Sequence, residues 1–226
     1  MNFRIFATVL FWPGLALVFA QAQDAGTAPP QPVEPFIAKV PEYGHWTIQL
    51  KHLSPPSAPG QPPPAPVTPA DEPVLIDVIK AGKRWQVTQT FPTGKSQMYD
   101  QAAPDYILQP GPGGLQVITI FKLGGATPYP YFTTGFLFAE WVHHAGLAAF
   151  QEVAKINNVP CFHYHQDVRD AWIAVDTLLP VKTAYANLEA TFEFRDAPTG
   201  PLVFSPEEEA YAHQRAAEIK AMSAVR

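Results

Sequence analysis

CFHYHQDVRDAWIAVDTLLPVKTAYANLEATFEFR, residues 161–195, consists of short apolar runs separated by segments that are long enough only for turns. The runs 161–166, 171–175, 181–187 and 190–195 each have the length of a β-strand. Antiparallel neighbours can be joined by a few residues, whereas a parallel pair needs a crossover of a dozen or more. The stretch therefore predicts a series of antiparallel hairpins.

The same spacing continues towards the N-terminus. Residues 45–53 alternate, with Trp46, Ile48 and Leu50 on one parity, as in a half-buried strand. Further strand patterns are found at 74–81, 83–91, 95–102, 105–109, 115–123 and 148–155. The nine or ten short strands have hairpin-sized connections and no helical crossovers, which argues against βαβ units. The sequence thus predicts a mainly β (α+β) domain over 41–203 that is built on an antiparallel sheet.

The C-terminal region, residues 204–226, has the pattern of a helix. Ser205 suits the N-cap, Pro206 suits the first helical position, and Glu208 completes a capping box with Ser205. The apolar stripe of this segment is thin. We predict a helix that packs loosely on the sheet or extends from it.

The first 22 residues have the features of a signal peptide. Arg4 precedes an apolar run, and Ala20 and Ala22 form an A-x-A cleavage pattern. The run is shorter than the about 20 residues of a spanning helix, which disfavours the alternative of a retained anchor. We predict an exported protein, periplasmic or extracellular after cleavage, with no transmembrane segment in the mature chain. The Pro-rich residues 23–40 are predicted to be a mobile leader.

Composition restricts the classes of function. The chain has 226 residues with a net charge of −5 and no basic stripe, which disfavours nucleic acid as a partner. The single cysteine, Cys161, excludes an internal disulfide framework. The sequence contains no nucleophile elbow, phosphate-binding loop, zincin or dinucleotide-binding motif, so it predicts neither an enzyme nor a cofactor.

Residues 54–73 interrupt the strand pattern with nine prolines in twenty residues. Proline lacks the N–H that a sheet ladder requires, so we predict an extended loop inserted between two strands. A surface insertion of this kind costs little loop-closure entropy. The alternative hypothesis is an interaction module that acts through this loop and the C-terminal helix.

The segments Cys161-Phe162-His163-Tyr164, Ala171–Asp176 and Leu179–Lys182 resemble a motif of the lipoprotein-carrier (LolA-like) group of periplasmic proteins. The resemblance implies an antiparallel sheet curved into an open half-barrel, with helices closing its open side. It further implies a concave apolar surface that holds acyl chains. The C-terminal helix and the Pro-rich loop are not part of that pattern.

Aromatic residues are the candidates for such a surface. Residues 129–141 are dense in aromatic side chains, and residues 138–144 have the pattern of one or two helical turns. We predict that this stretch forms a short lid. The predicted function is non-enzymatic binding of an apolar small molecule or lipid, with another envelope protein as a second candidate partner. The residues predicted to form the wall or lid are Trp46, Trp85, Phe121, Phe136, Phe138, Trp141 and Trp172.

A metal site is the alternative chemical hypothesis. Cys161, His163 and His165 alternate along one predicted strand, so all three point to one face. Thiolate and imidazole are ligands for zinc or copper. The competing interpretation places Phe162 and Tyr164 in the core and both histidines in solvent. The candidates for a fourth ligand are His45, His52, His143 and His144.

Overall fold

The computed structural model describes residues 30–54, 68–103, 106–111, 113–119, 136 and 138–223. The predicted signal peptide, Phe121 and most of the Pro-rich loop lie outside these residues. The described residues form eleven strands: β1 Tyr43–His52, β2 Leu75–Ala81, β3 Arg84–Thr90, β4 Ser96–Ala103, β5 Tyr106–Gly111, β6 Gly114–Thr119, β7 Phe150–Ile156, β8 Val159–Gln166, β9 Arg169–Ala174, β10 Pro180–Tyr185 and β11 Leu188–Arg195. The helices are α1 Val142–Ala145, followed by a 3₁₀ turn at Gly146–Ala149, and α2 Pro206–Ser223.

All eleven strands belong to one antiparallel sheet in the order β6-β5-β4-β3-β2-β1-β11-β10-β9-β8-β7. All pairs of neighbouring strands in this sheet except one are also consecutive in sequence, which confirms the predicted antiparallel hairpins. The exception is the central pair, in which β1 lies beside β11 with His45 opposite Arg195. The sheet therefore has two arms, β2–β6 and β10–β7, which are joined by its first and last strands.

One face of the sheet is apolar. Trp46 lies opposite Phe194 and Ile48 opposite Phe192, so the predicted parity of β1 is confirmed. The same face continues through β2 and β3 on one side and through β9 and β8 on the other. The buried apolar side chains of these flanking strands are Ile76, Val78, Val87, Phe162, Tyr164, Ala171 and Ile173.

The opposite face is polar. His45 Nε2 lies 2.9 Å from Asp77 Oδ1, and Lys182 Nζ lies 2.6 Å from Glu189 Oε2. Alternation along each strand thus separates the two faces, as a sheet buried on one side requires.

The strand patterns at 148–155 and 161–166 leave room only for a turn between them, and the structure has the β7–β8 turn there. Asn157 and Asn158 both have positive φ, at 49° and 68°. Positive φ at both central residues is required by the two-residue turn whose twist matches that of a hairpin. Asparagine tolerates this left-handed region better than most residues, so its presence in the sequence was a usable signal.

The prediction of a mobile leader over 23–40 is wrong for its described part. Phe36 and Ile37 are buried in the core, and the Ala38 N–H donates to the Leu178 carbonyl at 2.8 Å. Two adjacent apolar side chains gain more from burial than their Pro-rich surroundings gain from remaining free. This segment, residues 36–38, covers part of the apolar face.

The start of α2 matches the predicted capping box. The Glu208 N–H donates to Ser205 Oγ at 3.3 Å, and the Ser205 N–H donates to Glu208 Oε2 at 2.8 Å. Arg84 of β3 donates to both carboxylate oxygens of Glu209, which holds the pKa of Glu209 below its usual value. The first turn is therefore docked on β3, while the rest of the helix is mostly exposed. In the described part of the chain, neither helix has the length and hydropathy that crossing a bilayer requires.

Candidate functional site

Three of the predicted apolar-site residues meet in one aromatic cluster. The Trp46 ring lies 5.8 Å from both the Trp85 and the Phe136 ring, in edge-to-face geometry. Phe194 of β11 completes the cluster at 5.6 Å from Phe136 and 6.2 Å from Trp46. Phe194 was not among the predicted wall residues, although its parity with Phe192 placed it on an apolar stripe.

Phe138 and Trp141 belong to the segment that covers the apolar face. Phe138 packs against the side chains around Trp46, whereas Trp141 packs against those around Ile173. The Trp141 indole N–H donates to the Phe138 carbonyl at 3.0 Å, and the Arg169 guanidinium lies 5.4 Å from the Trp141 ring. Where one or two helical turns were predicted over 138–144, the structure has a turn at 138–141 and then the short helix α1.

Trp172 does not join this set. It lies on the polar face, where its ring stacks on His163 at 4.7 Å with an interplanar angle of 3°. Lys182 Nζ lies 5.2 Å from the same ring. The prediction that Trp172 shares a wall with Trp46 is therefore wrong, because β9 directs Ile173 rather than Trp172 to the apolar face. Phe121 falls outside the described residues.

The structure does not unite the predicted metal ligands. His163 Nε2 and His165 Nδ1 both contact Asp170 Oδ1, at 2.8 and 3.0 Å. Cys161 is fully buried, and its thiol donates to the Val159 carbonyl at 3.3 Å. Within the described ranges, no group of three or more His, Cys, Asp or Glu residues is placed to hold a metal ion.

The remaining candidate ligands are dispersed over the described structure. His45 contacts Asp77 on the polar face, and His52 contacts Glu72 beside the start of β2. His143 and His144 are exposed in α1. The competing interpretation of this strand is confirmed for Phe162 and Tyr164, which lie in the core, and for His165, which is exposed. It is wrong for His163, which is half-buried and stacks on Trp172.

Cys161 is expected to react slowly with thiol reagents in the folded protein. Desolvation raises the pKa of its thiol, with Asp176 contributing in the same direction and a backbone hydrogen bond opposing them. Reaction with 5,5′-dithiobis(2-nitrobenzoate) at pH 8 should be at least about 100-fold slower in native buffer than in guanidinium, because it requires local opening. Absorbance at 412 nm measures both rates.

A matched control is the Val168→Cys variant in a Cys161→Ala background, since Val168 is exposed on the β8–β9 turn. Its thiol should react at a similar rate in both buffers. Rapid reaction of Cys161 in native buffer would contradict its burial.

Four buried polar atoms lie on the apolar face without a hydrogen-bond partner in the described part of the chain. They are Trp46 Nε1, Gln89 Nε2, Tyr164 Oη and Thr183 Oγ1. Desolvation raises the pKa of Tyr164 to about 12, so its hydroxyl is protonated at neutral pH. Buried polar atoms are normally paired, so such a group indicates a water, a ligand or a functional constraint. Gln89 and Thr183 were not predicted as site residues, because polar side chains are not expected at strand positions that point to the core.

Comparison with known proteins identifies no family for the chain, because neither a family model nor a curated protein matches it. The candidate site is therefore defined by its own geometry. It comprises the aromatic cluster, the covering residues 36–38, 136 and 138–149, and the unpaired polar atoms among them.

Proposed function

We propose that this is an exported, non-enzymatic protein that binds a lipid or acyl chain against the apolar face of its sheet. In this proposal the sheet is curved into an open half-barrel, and residues 36–38, 136 and 138–149 form its lid. The resemblance to the lipoprotein-carrier group supports the same function and a periplasmic location.

The observation that carries the proposal is the continuity of the apolar face. Two core clusters, one around Trp46 and one around Ile173, share partly buried side chains, since Phe194 and Val40 pack against both. A continuous apolar band suits a linear hydrocarbon, because burial contributes about 0.8 kcal/mol for each CH₂.

The covering of this face also supports the proposal. Phe36, Ile37, Phe136 and Val142 come from short loop and helical segments rather than from a second sheet. Short segments of this type open at a lower free-energy cost than a packed sheet does. A ligand could therefore replace lid side chains without separating any pair of strands.

Native mass spectrometry tests the proposal. The full-length protein, expressed in an exporting host and purified from the cell envelope without detergent, is expected to carry a lipid-sized mass increment. Phe136→Asp should remove the increment, because it places a charge where the lid meets the aromatic cluster of the sheet.

Leu147→Asp is the matched control, since Leu147 lies in the same covering segment but is exposed. It should retain the increment. Circular dichroism shows whether Phe136→Asp keeps its strand content, which separates loss of ligand from loss of fold. A bare wild-type mass, together with no uptake of the hydrocarbon probe 1,6-diphenylhexatriene, would overturn the proposal.

A further inference from the structure

One row of side chains crosses the apolar face from β8 to β1. The strand registers place Tyr164 opposite Ala171, Ala171 opposite Thr183, Thr183 opposite Ala190, and Ala190 opposite Leu50. All five are buried. The three in the middle have small side chains, so the row rises less far above the sheet there than at its two ends, Tyr164 and Leu50. We name these five residues the hydroxyl row.

The hydroxyl row contains two of the unpaired polar atoms. Tyr164 is 0% and Thr183 is 1% exposed, and neither hydroxyl has a hydrogen-bond partner among the residues that the structure describes. On this face, only the methyl group of Ala171 lies between the side chains of Tyr164 and Thr183. Strands are about 4.8 Å apart, so the two Cα atoms are separated by about 10 Å. A ligand atom above Ala171 would be flanked by both hydroxyls.

The unpaired atoms favour a ligand group that accepts hydrogen bonds. Trp46 Nε1 and Gln89 Nε2 can only donate, and both hydroxyls can also donate. The side chains of the hydroxyl row carry no charge, so a carboxylate there would have no cation in the row to offset its desolvation. A neutral carbonyl oxygen fits this environment better than an ionised one.

The neighbouring rows of side chains on the same face indicate how a bound ligand would be oriented. Two residues further along the same strands lie Gln166, Arg169, Tyr185, Leu188 and His52; this row is polar except at Leu188, and we name it the polar edge. This edge is about 6.6 Å from the hydroxyl row. In the opposite direction, the same strands present Phe162, Ile173, Phe192 and Ile48, which are apolar and buried.

We infer that the hydroxyl row binds the ester carbonyl of an acyl ligand, with the hydroxyls of Tyr164 and Thr183 as its donors. The acyl chain lies over the apolar rows beyond Ile173, and the polar end of the ligand reaches the edge at Arg169. This inference rests on the proposed function, and it adds the class of ligand and its direction of entry.

The test compares two fluorescent probes on the full-length protein. Methyl cis-parinarate carries an ester carbonyl, whereas 1,6-diphenylhexatriene is a hydrocarbon with no hydrogen-bonding group. Tyr164→Phe and Thr183→Val should each weaken binding of the ester about 3- to 10-fold, since each removes one hydrogen bond of ordinary strength. Binding of the hydrocarbon should change by less than about 2-fold, because both substitutions preserve shape.

Tyr43→Phe is the matched control for Tyr164→Phe. It makes the same chemical change at an exposed position at the start of β1, away from the hydroxyl row and the polar edge, and it should leave both affinities unchanged. Thermal unfolding of each variant shows that the fold is kept. Removing a hydroxyl that is unpaired in the ligand-free protein should not lower the melting temperature.

The other outcomes are distinguishable. If the wild type binds both probes and the variants bind the ester normally, the hydroxyl row is not its site, and the proposed function survives alone. Normal ester binding with a lowered melting temperature would assign the two hydroxyls to a buried water instead. If the wild type binds neither probe, the proposed function fails, and this inference fails with it.

Discussion

Ile173→Asp is expected to unfold the protein, whereas Trp172→Asp, one residue away, is expected to leave the sheet intact. Ile173 is fully buried and packs with Phe162 and Tyr164. Losing such a side chain costs about 2–5 kcal/mol, and burying an unpaired carboxylate adds several more. Total stability of a domain is about 5–15 kcal/mol, so little or none should remain. Urea denaturation followed by circular dichroism measures the difference.

The Trp172→Asp variant is the control for this prediction. Its carboxylate would face Lys182 and His163 on the polar face, so it loses a stacked ring but meets a cation. We expect a cooperative transition at a modestly lower urea concentration. A folded Ile173→Asp protein beside an unfolded Trp172→Asp protein would show that the two faces have been assigned in reverse.

The second large effect is expected at Trp46. Trp46→Ala should lower the free energy of unfolding by about 3–5 kcal/mol, because it leaves a cavity between Trp85, Phe136 and Phe194. Trp46→Phe should cost less, since it keeps a ring in the cluster and removes an N–H that is unpaired in the described structure. Intrinsic fluorescence during urea unfolding reports both variants.

Tyr43→Ala provides the comparison for Trp46→Ala. Tyr43 is an aromatic residue on the same strand, but nearly half of its surface is exposed. Its truncation should change the free energy of unfolding by about 1 kcal/mol or less, as is usual for a surface position. Equal losses from the two truncations would disprove the aromatic cluster as the centre of the core.

The sheet was largely predictable because each strand carries its own signal. Alternation at Trp46, Ile48 and Leu50 identified β1 and its buried face, and the short gap between the strand patterns at 148–155 and 161–166 indicated a turn. Ser205 and Glu208 located the start of α2 for the same reason, since a capping box depends on residues three positions apart. Local chemistry determines these features, so local sequence reveals them.

The candidate site was less predictable because it depends on register and on distant segments. The sequence established that Trp172 and Ile173 point in opposite directions, but which of them faces the core depends on how β9 pairs with β8 and β10. Phe36 and Ile37 were hidden by their Pro-rich surroundings, although an adjacent apolar pair was the available signal. The pairing of β1 with β11 has no local signal at all.

That central pairing has a consequence for the order of folding. Each arm consists of hairpins that can close over a few residues, whereas β1 must find a partner near the opposite end of the described chain. Closing such a long loop costs more entropy, and contacts distant in sequence slow folding. During synthesis, the arm containing β2–β6 emerges well before β11 exists. We therefore expect β1 to keep an unpaired edge until almost the whole chain has been made, so that the native core is completed only after β11 emerges.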